Sequence, residues 1–225
     1  MNIILLALAP VIILAVYIYI RDKYEKEPIS LLLKTLFAGA IIVIPVIYVE
    51  QWLGGLCQSD NIYFSASYKA FVIAGFTEEV FKFAALYVLI WAHKEFDELF
   101  DGIVYAVFIS LGFAGIENIF YVSQFGYSTG LIRAITAVPA HMLFGVAMGY
   151  YFGIARFTPG RNTIVFIKAL LVPVLLHGLY DFILFSENNY LLFLFFPYII
   201  YLWYSGLKQI KLYTENSRFR EKTVT

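Results

Sequence analysis

Four ionisable constellations stand inside stretches that otherwise read as lipid-buried helix: Glu78-Glu79 with Lys82, Glu117-Asn118, His141, and His177 with Asp181. An isolated charge at the centre of a bilayer costs from about 3 to more than about 10 kcal/mol, so such residues usually face a protein interior and serve chemistry or transport. Two histidines and a carboxylate are a common donor set for catalytic zinc, with a further position left to water. A neighbouring glutamate can take the proton of that water, which is metal-assisted amide hydrolysis. No serine or cysteine stands beside a base at comparable depth. Ser110 is the nearest, seven positions before Glu117, which makes a nucleophilic hydroxyl the weaker chemistry.

Helical spacing decides which of these groups can cooperate. Glu78 and Lys82 share a face at i,i+4, whereas the adjacent Glu78 and Glu79 point about 100° apart. Lys82 can therefore neutralise one carboxylate and leave the other free for a metal or a water; the bland alternative is an ion pair that helps helices pack. Glu117 is a second buried acid, which is costly unless it is protonated, bonded to a donor or next to a cation. Its expected compensator is a metal or a histidine on a neighbouring helix. Helix–helix hydrogen bonding is the plainer role for Glu117 and Asn118. His141 follows Pro139, which should kink its helix. His177 follows Pro173, and Asp181 stands one turn on, placed to orient the imidazole as carboxylates do for metal-bound histidines.

The elements that carry these residues are membrane helices. Of 225 residues, 61% are hydrophobic and 14% charged, against about 45–50% and about 25% in soluble domains. The fold class is all-α, a polytopic helix bundle with spans at about 2–20, 31–53, 67–92, 101–123, 130–154, 163–185 and 189–208. Residues 1–213 read as one integral-membrane domain and residues 214–225 as a polar cytoplasmic tail. Ala7-Leu8-Ala9 mimics a signal-peptide cleavage site, but the absence of a basic n-region and the apolar run from Ile3 to Ile20 favour a retained first span. Cys57, the only cysteine, cannot form an internal disulfide. A net charge of zero argues against nucleic acid.

Charge also orients the bundle. Arg21, Lys23, Lys26, Lys34, Lys94, Arg156, Arg161, Lys168, Lys208, Lys211, Arg218, Arg220 and Lys222 fall on one side, and only Lys69 and Arg133 on the other. The positive-inside rule then puts the N-terminus outside and the C-terminus in the cytoplasm. At about 1.5 Å per residue, Glu78 and Glu79 lie about 17 Å from the outer end of their helix, His141 about 16 Å, His177 about 12 Å, Glu117 about 9 Å and Asp181 about 6 Å. Four helices thus deliver acid and imidazole to one stratum of the outer half-membrane. Away from it, Asp22 to Pro28 reads as a solvated cytoplasmic loop, and the acidic loop His93 to Asp101 as a weaker cation-binding candidate. A proton- or cation-coupled transporter is the alternative reading of the buried groups, although no pair of broken helices or internal repeat supports it.

The same residues resemble a family. The loop Asp22 to Pro28, Glu78-Glu79-x-x-Lys82, Asp101-Gly-Ile-Val-Tyr105 running into Gly112-Phe-Ala-Gly-Ile-Glu117-Asn118, His141, and His177-Gly-Leu-Tyr-Asp181 are similar to the motifs of the PrsW family. Those bacterial membrane proteases begin the cleavage of the anti-sigma factor RsiW, and they sit within the superfamily of CAAX prenyl endopeptidases and bacteriocin-processing enzymes. The similarity runs from about Pro10 to Leu207. It implies an intramembrane protease of the bacterial plasma membrane acting on the outer side of a single-span membrane protein such as an anti-sigma factor, in a lipid bilayer. Carried over by position, His141, His177 and Glu117 would hold a divalent metal, zinc in the first place, and Glu78 would be the general base with Glu79 as alternative base or ligand. Lys82 would tune the pair, Asp181 orient His177, and Asn118 donate to the oxyanion. Where the prenyl endopeptidases have histidine and arginine, this chain has Glu117 and Lys82. That departure keeps two ways of activating water open, a metal or a glutamate alone.

Overall fold

A computed structural model describes residues 3–57, 59–160 and 162–220. Arg161 and Lys222, two of the charges that orient the bundle, and residues 221–225 of the expected tail lie outside the described residues. The helices are α1 (Ile3–Arg21), α2 (Ile29–Leu56), α3 (Ile62–Ser67), a π-helical stretch (Tyr68–Phe76), α4 (Thr77–Ile90), α5 (Leu99–Phe125), α6 (Tyr127–Ile135), α7 (Ala137–Phe157), α8 (Asn162–Phe185) and α9 (Asn189–Glu215). No strand occurs among the described residues. Among the described residues, six helical segments are long and apolar enough to cross a membrane. The remaining expected span is the composite Ile62–Ser67, Tyr68–Phe76 and Thr77–Ile90, in which Glu78, Glu79 and Lys82 interrupt the apolar pattern.

α5 is the axis of the bundle. Every residue from Phe100 to Gly115 is buried, and α1, α2, α4, α6, α7 and α9 all pack on it. Small residues set these crossings, since lipid offers no hydrophobic drive for helix association and close backbone approach must replace it. A Cβ on Gly112 would run into the Leu36 carbonyl of α2, and one on Gly149 would overlap the backbone of Gly102 and Ile103. Gly149→Ala should therefore force α5 and α7 apart and cost about 1–3 kcal/mol, the usual range for overpacking. A lower melting temperature in detergent is the expected result; an unchanged one would contradict the tight crossing.

Outward-facing Ile44, Tyr48, Phe193 and Phe196 are exposed, the pattern expected where lipid is the solvent.

Three expectations change locally. The span foreseen at 130–154 is two helices, α6 and α7, parted at Thr136 (φ −120°, ψ −75°). Pro139 sits in the first turn of α7, where its missing N–H has no intrahelical partner to lose, and the break at Thr136 falls in the turn just before it, where the proline disrupts a continuing helix. α9 continues to Glu215, and the described residues just beyond it are tied down: Ser217 Oγ donates to Glu98 Oε2 at 2.6 Å, and Arg218 pairs with Asp97 at 2.5 Å.

The cytoplasmic loop is not the solvated connection expected, because Asp22 and Glu27 are buried at 2% and 3% exposure. The Tyr105 hydroxyl donates to Glu27, and the Glu27 backbone N–H donates to Asp22 Oδ2 at 3.2 Å. Burial, reinforced by Asp101 beside it, pushes Glu27 up to about 11, and burial pushes Asp22 up to about 7. Asp101 Oδ2 accepts the backbone N–H groups of Asp97 and Glu98 at 2.8 and 2.7 Å, closing the start of α5. The two acidic stretches therefore join loop to helix at one end of the bundle, the end expected to be cytoplasmic.

Candidate active site

The π-helical stretch leads directly into Thr77-Glu78-Glu79. Its wider turn changes the angular phase of α4 relative to a continuous α-helix, a feature often found at functional positions. Gly75 lets this segment approach α8 closely: a Cβ there would lie 3.0 Å from the Gly178 nitrogen and 3.1 Å from the Val174 carbonyl oxygen. Lys82, one turn into α4, is fully buried. Its ammonium donates to Glu78 Oε2 at 2.9 Å and Glu79 Oε1 at 2.8 Å, and lies 3.2 Å from His141 Nδ1. The same ammonium stands 4.2 Å from the centre of the Phe113 ring, so its remaining surface meets an aromatic face.

His141 Nε2 lies 2.8 Å from Glu117 Oε2. Of the two compensators expected for Glu117, the histidine on a neighbouring helix is present, and a guanidinium joins it: Arg133 Nη2 reaches the same oxygen at 2.7 Å. Asn118 Oδ1 accepts from Arg133 Nε at 3.1 Å, and Asn118 Nδ2 donates to the Ala7 carbonyl at 2.9 Å.

On α8, His177 Nδ1 is 2.9 Å from Glu79 Oε1 and 3.9 Å from Glu78 Oε2, while Nε2 is 3.4 Å from Asp181 Oδ2. Phe144 stacks on the His177 ring at 4.9 Å, and the two imidazole centroids are 5.1 Å apart. A cavity of about 970 Å³ opens over this cluster, lined among others by Glu50, Glu78, Glu117, Arg133, His141, His177 and Asp181. Glu79, Lys82 and Asn118 stand behind its wall.

Carboxylates and imidazoles from α4, α5, α7 and α8, joined by Glu50 of α2, surround one membrane cavity, and comparison with known proteins gives the family. The profile of the PrsW family intramembrane metalloprotease matches residues 27–204. The chain belongs to this family. It is 37% identical to Protease PrsW of Bacillus subtilis (strain 168) over 205 residues, covering 91% of this chain and 92% of that protein. To Protease PrsW of Geobacillus kaustophilus (strain HTA426) it is 37% identical over 205 residues, covering 90% and 88%. To that of Clostridioides difficile (strain 630) it is 34% identical over 227 residues, covering 97% and 94%. No solved structure matches the chain. The protein is thus a multi-pass bacterial membrane protein and an intramembrane protease of the metalloprotease type.

A metalloprotease implies a divalent ion, and the donor set fits one. Glu78, Glu79, His141 and His177 each offer a ligand atom within 4.8 Å of the others, and all four are buried. Glu79 Oε2 is buried without a hydrogen-bond partner, and an orphaned carboxylate oxygen is costly unless a cation or donor answers it. His177 meets carboxylate oxygens at both ring nitrogens. A neutral imidazole has one N–H, so one of those faces needs a further proton or a cation between the partners. The Lys82 ammonium supplies part of that positive charge.

The residues expected at the site divide into two groups. Glu78, Glu79, Lys82, His141, His177 and Asp181 form one connected cluster. Glu117, expected as a ligand beside the histidines, is instead on the far nitrogen of His141 and outside the converging four. Asn118, expected as an oxyanion donor, has its amide engaged by Ala7 and Arg133 and does not line the cavity. Ser110 does not line it either, and lies against Gly145. Sequence reasoning missed Arg133, which reads only as an outer-side charge, and Glu50. The second carried a usable signal, an acid inside an otherwise apolar span; the first carried none, because only the fold turns it inward.

Proposed function

We propose that this protease hydrolyses a peptide bond near the outer side of a single-span membrane protein, with Glu78 as the base that activates water. The convergence of Glu78, Glu79, His141 and His177 beneath one cavity carries the reading. Glu78 borders the cavity, where a water and a scissile peptide can reach it, whereas Glu79 is wholly buried. His141, His177 and Glu79 would hold the divalent ion, zinc in the first place given two imidazoles and a carboxylate. When bound there, the ion supplies Lewis-acid polarisation of the scissile carbonyl. Glu78 takes a proton from water as the water attacks and can return it to the leaving amine. Lys82 balances the charge of the carboxylate pair, and Asp181 fixes the His177 ring through Nε2. An anti-sigma-factor-like protein is the substrate that the family resemblance suggests, and the outer-half depth of the cluster suits cleavage of its external segment.

The test is purified protein assayed on a single-span substrate carrying an anti-sigma-factor external segment. About one equivalent of zinc per chain, loss of cleavage on chelation, and recovery on adding zinc are expected. His177→Ala should abolish both bound metal and cleavage. Full activity in metal-free protein would remove the ion from this scheme and leave water activation to Glu78. Absence of cleavage under every metal condition, with a natively folded protein and several single-span substrates, would sink the substrate class.

A further inference from the structure

Arg133 enters the cluster from an element that is otherwise at the surface. It belongs to α6, where Gly130 is the one buried residue, and its neighbours Leu131, Ile132 and Ile135 are 48%, 60% and 73% exposed. The Arg133 side chain turns the other way, at 13% exposure. It clasps three residues of α5. Nη2 lies 2.7 Å from Glu117 Oε2, Nε lies 3.1 Å from Asn118 Oδ1, and the guanidinium carbon lies 3.8 Å from the centre of the Tyr121 ring.

This is a use of the planar fork that lysine cannot reproduce: two donors at fixed angles and a flat face that stacks. Asn118 is anchored in turn to the Ala7 carbonyl of α1. The carboxylate of Glu117 is therefore held against rotation by a group itself fixed at two further points, Asn118 and the Tyr121 ring. The oxygen so held, Oε2, is the one that meets His141 Nε2 at 2.8 Å. A histidine that donates Nε2–H to this carboxylate keeps its Nδ1 lone pair, and Nδ1 is the atom facing Lys82 in the middle of the cluster. Which ring nitrogen carries the hydrogen is set by the partner of the other one.

We propose that Arg133 is a positioning residue for peptide hydrolysis: by locking Glu117 it fixes the orientation of the His141 ring, and hence of the nitrogen presented to the reaction centre. The inference rests on the reading that His141 belongs to that centre. It also connects α6, which lines the cavity through Ile132 and Arg133 with Thr136 just beyond its end, to the chemistry. Displacement of that wall breaks the clasp.

Steady-state cleavage of the same single-span substrate by Arg133→Gln, Arg133→Lys, Glu117→Gln and the Arg133→Gln/Glu117→Gln double variant tests it, with the melting temperature of each in detergent. Arg133→Gln should lower kcat about 10–100-fold, the usual effect of removing a group that orients a site histidine, with KM unchanged. Arg133→Lys should restore only part of kcat. The double variant should be no slower than Glu117→Gln alone, because residues that act through one another are not additive. Multiplicative losses in the double variant, a raised KM at normal kcat, or full activity in Arg133→Gln would each overturn the proposal. Should Arg133→Gln fail to fold, the same cycle built with Arg133→Lys gives the answer. Full activity in Arg133→Gln beside a dead Glu78→Gln refutes this inference alone; full activity in both refutes the reading of the site itself.

Discussion

Glu78→Gln should lower kcat for substrate cleavage by about 10²–10⁴-fold, the range lost when a positioned general base is removed, with little change in melting temperature. Glutamine keeps the size of the side chain and an oxygen that can accept from Lys82, which now lies 2.9 Å from Glu78 Oε2. What it cannot do is take a proton. Glu78 keeps 7% of its side chain exposed and borders the cavity, so the replaced amide also remains reachable by water and the loss is chemical. Glu79→Gln provides the contrast. That side chain is wholly buried, bonded to Lys82 and His177, and has an orphaned second oxygen. Its substitution should release bound metal and lower stability as well as activity. A Glu78→Gln protein that cleaves normally, next to a Glu79→Gln protein that retains metal and is inactive, would exchange the two roles.

How much of this is legible in the sequence varies with the kind of force involved. Burial of charge in an apolar span is a large and local cost, so Glu78, Glu79, Lys82, His141, His177 and Asp181 stand out from their surroundings, and depth arithmetic puts the acids and imidazoles in the outer half of the membrane, with Asp181 the shallowest. The bundle of apolar helices is equally plain, since runs of about 20 apolar residues have the length that a bilayer core demands of a helix. Facing is what sequence does not carry. The π-helical turn at Tyr68–Phe76 adds no marker residue, yet it decides how Glu78 and Glu79 meet α8. Spacing leaves Glu117 in need of a metal or a histidine; the choice depends on α7 lying beside α5, and on Arg133 arriving from α6, neither of which spacing reveals. Asp22 and Glu27 mislead because charge in a loop usually means solvent, whereas here Tyr105 and the start of α5 close over them.

Removal of Lys82 should have the largest effect on stability. The ammonium is fully buried and answers two adjacent acids at 2.9 and 2.8 Å, so Lys82→Met leaves negative charge without its partner in a medium that cannot screen it. Breaking a buried pair from one side costs about 3–5 kcal/mol, well above the cost of the same change at a surface. Methionine fills much of the space and can still pack on Phe113, which keeps the cavity term small. The loss should thus be electrostatic, and two observations can show that it is. Adding Glu79→Gln to Lys82→Met should recover part of the melting temperature, because one of the stranded acids becomes neutral. Zinc should protect Lys82→Met more than the parent protein, since a site that has lost one positive charge gains more from a divalent ion, and a ligand that binds only the folded state raises its stability. If Lys82→Met melts as the parent does, with and without zinc, the ammonium is not the counter-charge of the glutamate pair and the electrostatic account of the cluster fails.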